Sequence, residues 1–100
     1  MLQDLTAEQF QAHLGTRFRV APGAPHGIEV ELYEVALHEA HNGPRRQPFS
    51  LRFRDPRGPR TPPLPQQIFG LEHAALGTME IFLVPIGPDA QGMRYEAVFN

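Results

Sequence analysis

One hundred residues, 41% hydrophobic and 20% charged with a formal net charge of −2, fit one small globular domain, residues 1–100, and exclude a disordered chain. No apolar run reaches the roughly 18–20 residues of a membrane span. The opening Met1-Leu2-Gln3-Asp4 also lacks the basic and apolar regions of a secretory signal, so a soluble, cytoplasmic domain is expected. Cysteine and lysine are absent and serine occurs once, at Ser50. Disulfides, thiolates, Schiff bases and the phosphate-loop lysine are thereby removed, and a serine mechanism has one candidate.

The first element is a helix. Thr6 can cap the free N–H groups, Gln9 three residues later completes a capping box, and Leu5 with Phe10 is placed to form a hydrophobic staple. Gly15 suits the C-terminal cap, so the helix is predicted over residues 7–14, with Phe10 and Leu14 on its apolar face. After Gly15 the period changes from 3.6 to 2. Phe18 and Val20 alternate with Arg17 and Arg19, and the glycine- and proline-rich stretch 21–27 turns the chain. Ile28, Val30 and Leu32 alternate with Glu29 and Glu31. The apolar phase then slips to Val35 and Leu37, which predicts a bulge near Tyr33 or Glu34.

Asn42-Gly43-Pro44 reads as a loop. Phe49, Leu51 and Phe53 alternate with Ser50, Arg52 and Arg54 in the clearest strand, with Ser50 pointing outward. Five prolines within residues 55–65 predict an extended surface loop. A further strand covers Ile68–Glu72, with Gly70 inside it. His73 stands before a tight turn ending at Gly77 and is expected to hydrogen-bond the turn backbone. Met79–Ile86 is apolar at both alternating sets. That pattern predicts a strand buried on both faces or crossing a barrel corner, with Pro85 at its end or at a bulge. A loop at 87–92 leads into Met93–Phe99, with Tyr95, Ala97 and Phe99 on one side. One short N-terminal helix and about six or seven short strands make a mainly-β protein, a small antiparallel barrel or two-sheet sandwich.

Arg45, Arg46, Arg52, Arg54, Arg57 and Arg60 lie within sixteen residues. Arginine forks match phosphate, but a pI near 6.2 argues against a nucleic-acid partner. Glu29 and Glu31 facing Arg52 and Arg54 across two strands would form a charge ladder, leaving Arg45, Arg46, Arg57 and Arg60 as loop charges in water. His38-Glu39-Ala40-His41 resembles a metal fragment, but the two histidines are three apart at a strand end, and a third ligand would have to come from Glu34 or His26. No metal or other cofactor is therefore expected, with His38 and His41 the candidates if one binds. A barrel of this size is filled by its own side chains, so no catalytic residues are assigned and a non-enzymatic protein is expected.

Several stretches carry a family resemblance: Phe49-Ser50-Leu51-x-Phe53, Leu64-Pro65-Gln66, Leu71-Glu72-His73, Leu76-Gly77, Phe82–Pro88 and Tyr95–Asn100, with Leu5-Thr6-x-x-x-Phe10 and Gly15-x-x-Phe18 at the start. The chain resembles a small bacterial family known as a domain of unknown function, the 6916 type, over nearly its whole length. The family has no assigned catalytic residues, so none is carried over. The resemblance implies an accessory or structural role near phage-tail-like fibre proteins.

The expectation is a bacterial domain that works by protein–protein contact, with a protein partner, no nucleic acid and no membrane, and compatible with a homo-oligomer. Arg45, Arg46, Arg57 and Arg60 on the proline-rich face 45–65 are the expected partner-binding residues, because proline lowers the entropy lost on ordering a loop and arginine is enriched in interfaces. The alternative is a small-ligand or carbohydrate-binding barrel using Tyr33, Phe69 and Tyr95 as exposed aromatics.

Overall fold

The computed structural model describes residues 5–20, 28–38 and 47–99. The helix α1 spans Ala7–Gln11, and six strands follow: β1 (Arg17–Val20), β2 (Ile28–Leu37), β3 (Phe49–Arg54), β4 (Gln67–His73), β5 (Gly77–Pro88) and β6 (Met93–Phe99). They close into an antiparallel barrel in the order β1-β2-β3-β6-β5-β4, which decides between the barrel and the sandwich. Among the described residues, no helix is long and apolar enough to cross a membrane.

Local chemistry starts α1 as expected. The Gln9 N–H donates to the Thr6 hydroxyl and the Thr6 N–H donates to the Gln9 side-chain oxygen at 2.8 Å, completing the capping box. Replacing Thr6 by Ala removes the hydroxyl from the capping box and leaves the Gln9 N–H only the Thr6 carbonyl at 3.1 Å; it is expected to cost about 1 kcal/mol, read as a melting temperature lower by about 4–8 °C. An unchanged melt would show that the cap does not stabilise the fold.

The helix is shorter than the 7–14 predicted. The N–H groups of His13 and Leu14 donate three residues back, to Phe10 and Gln11, and the Gly15 N–H leaves the helix for the Leu32 carbonyl on β2 at 2.7 Å. Gly15 takes a φ of +87°, the left-handed conformation glycine tolerates. Leu14 is consequently 43% exposed and does not share the buried face of Phe10. Phe10 packs against the barrel end, with its ring centroid 5.9 Å from Phe49 and 5.7 Å from Phe99.

Closure of so small a barrel depends on two long strands that each serve two partners. β2 pairs with β1 through Ile28–Glu31 and with β3 from Glu31 to Leu37. Its register shifts between Leu32 and Glu34, the bulge the apolar phase predicts. β5 pairs with β4 over Gly77–Leu83, then with β6 over Val84–Pro88, and its register shifts between Pro85 and Gly87. A bulge bends a strand and raises its twist, which turns these two corners. Of the two readings of β5, the barrel corner with Pro85 at a bulge holds and burial on both faces does not: Met79, Ile81 and Leu83 point inward, whereas Phe82 is 48% exposed. The turn signals at 21–27 and 42–44 lie outside the described residues.

Candidate functional site

Inward-facing residues of all six strands meet at the centre. Val20, Leu32, Phe53, Leu71, Ile81 and Tyr95 are each 2% exposed or less. Two of the three aromatics expected on the surface belong to this interior: Phe69 and Tyr95 are buried, because inward parity on β4 and β6 places them there. The Tyr95 hydroxyl accepts the Leu64 N–H at 2.8 Å and ties the proline-rich loop to the barrel; burial pushes its pKa up. Tyr33, at the bulge, is half-buried under the Arg54 guanidinium, 4.0 Å above its ring, and its hydroxyl is buried without a partner.

At the end of the barrel that carries the β3–β4 and β5–β6 loops, the arginines are internal clamps. Arg54 grips the Asp89 carboxylate with two nitrogens, Nε at 3.1 Å and an η nitrogen at 2.6 Å, and holds its pKa below the usual carboxylate range. Asp89 also accepts the Gln91 and Gly92 N–H groups, which closes the β5–β6 turn. Asp55 is buried and accepts both the backbone N–H of Arg57 at 2.9 Å and its guanidinium at 2.8 Å. Arg57 is therefore not a free loop charge. Arg52 reaches Glu34 at 3.3 Å and Glu96 at 3.2 Å, and Arg17 reaches Glu29 at 3.5 Å. The expected ladder exists with shifted partners: the bulge sets Glu34 opposite Arg52, and Arg54, although opposite Glu31, turns to Asp89. Of the four partner-binding candidates, Arg57 is held by Asp55, Arg60 is exposed, and Arg45 and Arg46 lie outside the described residues.

Both described histidines that sequence reading singled out have protein partners. His38, just past β2, shares a short hydrogen bond through Nε2 with the Ser50 hydroxyl. Ser50 points away from the core as its parity requires and is buried there. Glu34, one suggested third metal ligand, is paired with Arg52. His41 and His26 lie outside the described residues, among which no three His, Cys, Asp or Glu side chains are grouped to hold a metal ion. His73 is buried at the opposite barrel end from the Asp89 clamp. Its Nδ1 accepts the Ala75 and Leu76 N–H groups at 3.0 and 3.2 Å, the turn contact expected of it.

Outside the barrel run two contrasting surfaces. A shallow groove of about 420 Å³ crosses β1 and the β4–β5 turn, lined by Arg17, Arg19, Glu29, Glu72, His73 and Thr78. Two arginines and two glutamates balance its charge, so it offers no net attraction to an anion. The other surface is apolar. Ile68 on β4 stands directly opposite Phe82 on β5, 63% and 48% exposed, and Val98 on β6 is 58% exposed. The β5 run is apolar at both parities, so only the pairing distinguishes its two faces.

No curated protein and no solved structure matches the chain. One family model does, over residues 5–99, and it takes in the helix, all six strands and both clamped loops. The chain accordingly belongs to the domain of unknown function DUF6916.

Proposed function

We propose that this chain is a non-enzymatic accessory domain that works by contact with another protein, through the outer face of β4, β5 and β6. The role agrees with the one that the resemblance implies, beside phage-tail-like fibre proteins. A filled interior leaves recognition to the outside. The carrying observation is the Ile68–Phe82 cross-strand pair, two large apolar side chains left in water on a regular sheet face. Contiguous exposed apolar surface on a small domain marks an interaction site more often than a scatter of single residues does.

Capture from a lysate of the encoding organism separates this face from the loop face. Ile68→Asp is expected to lose a protein that the native domain retains, while the Arg57→Ala/Arg60→Ala double variant keeps most of it. Both variants are checked for a native melt. Loss in the arginine variant with full retention in Ile68→Asp would move the contact to the loop and defeat the reading.

A further inference from the structure

Beside the apolar pair lies a glycine that the fold does not require. Gly70 is inside β4, opposite Glu80 of β5. It has no positive φ, and a Cβ built on it would meet no atom of the described residues within 4 Å. Among those residues neither backbone conformation nor packing calls for glycine there, although glycine weakens a strand. Glycine inside a strand marks a bulge, a tight bend at a barrel corner, or close approach by a ligand or another backbone, and the β4–β5 register runs through Gly70 without a shift. Strand alternation places Gly70 on the outer face with Ile68 and Glu72, so the missing side chain leaves a notch in that face.

The walls of the notch differ in chemistry. At one end stand Ile68 and Phe82; across the strand pair stands Glu80, and beyond Gly70 stands Glu72. Glu80 and Glu72 are exposed, and among the described residues neither has an ion pair or a hydrogen-bonded side-chain partner. Asp55, Asp89, Glu34 and Glu96 are all held by arginines. The notch therefore joins an apolar shelf to the Glu80 carboxylate, while Glu72 stands opposite Arg19 of β1.

We propose that this notch receives an extended segment of a partner protein that carries lysine or arginine beside an apolar residue. The inference rests on the docking face proposed above and names the chemistry of its occupant. The apolar residue lies on Ile68 and Phe82. The aliphatic stem of the cation crosses Gly70, and its charged end reaches Glu80.

Two short synthetic peptides, one alternating leucine with lysine and one alternating leucine with glutamate, test this by titration into the labelled full chain with amide NMR detection. The leucine–lysine peptide is expected to shift the signals of residues 68–72 and 78–82. Glu80→Lys should weaken it about fivefold and favour the leucine–glutamate peptide. Gly70→Val, which has room to fold, should block both. Leucine–lysine binding that survives Gly70→Val, or shifts confined to other strands, would overturn the proposal. Concentration-dependent dimers lost in Gly70→Val would also overturn it and assign the notch to a second copy. If Ile68→Asp abolishes capture of the native partner and Glu80→Lys alters neither peptide, the docking face stands and the basic occupant falls.

Discussion

Replacing Gly92 by alanine should destabilise the barrel by about 3 kcal/mol, seen as a lower urea midpoint with an unchanged slope. The added methyl would overlap the carbonyl oxygen of Asp55 and come within 3.1 Å of its carbonyl carbon and 3.3 Å of the Arg54 side chain. None of these atoms is at the loose end of a chain. The Asp55 N–H donates to the Met93 carbonyl at 2.8 Å, its carboxylate is buried against Arg57, and Arg54 is clamped to Asp89. Gly92 also forms a bridge with Gly58 and donates its N–H to Asp89 at 3.0 Å. The methyl thus forces the two loops apart at the point where β3 hands over to β6. Gly70→Ala is the control. With open space at its Cβ it should change stability by no more than about 0.5 kcal/mol. Equal effects from the two alanines would show that the loop contact is not a close one.

Acid should loosen the opposite end of the barrel through His73. Nδ1 of His73 accepts two backbone N–H groups and must be bare. Its other nitrogen, Nε2, lies 2.9 Å from the Thr16 hydroxyl, which itself donates to the His13 carbonyl at 2.6 Å; Nε2 is therefore the nitrogen that carries the proton. A second proton on this ring would oppose two N–H groups at once. Burial lowers the pKa of His73 below 6.5, and the His13 ring 4.8 Å away lowers it further. Arg17 and Arg19 on β1, with Glu29 and Glu72, are the charged groups lining the groove beside it.

The sign follows from the direction of that shift. The unfolded chain binds the proton more readily, so the stabilisation is complete above pH 6.5 and is lost as pH falls from there towards the lowered native value. The slope is at most about 1.4 kcal/mol per pH unit for one proton. Thermal melts taken at neutral pH and one unit below 6.5 should then differ by several degrees. His73→Asn retains an oxygen to accept from the 74–76 turn and does not titrate. Its melting temperature should be lower at neutral pH and flatter with acid, and a slope equal to that of the native chain would remove His73 as the cause.

Local features were legible in the residues. The capping box at Thr6 and Gln9 involves neighbours on one turn, so the side chains themselves decide it. The slip from Leu32 to Val35 announces the β2 bulge, because a period of two admits only two faces, and one extra residue exchanges them. His73 as a turn acceptor followed from its place before Gly77. The end of the helix was not legible, because Gly15 is drawn away by a carbonyl on β2 that lies distant in sequence. The arginine partners were misassigned for the same kind of reason. The bulge moves Glu34 into the place opposite Arg52, and the β5–β6 turn delivers Asp89 to Arg54.

The chain order of apolar and polar residues by itself determined a mainly-β domain with a capped N-terminal helix, because alternation and capping act over a few residues. Tertiary structure alone decided that the sheet closes, that Phe69 and Tyr95 face in while Phe82 faces out, and that Gly70 stands opposite Glu80. Register is the physical reason. A run apolar at both parities carries no information about which face meets water, and only hydrogen-bonded pairing with strands far along the chain chooses one.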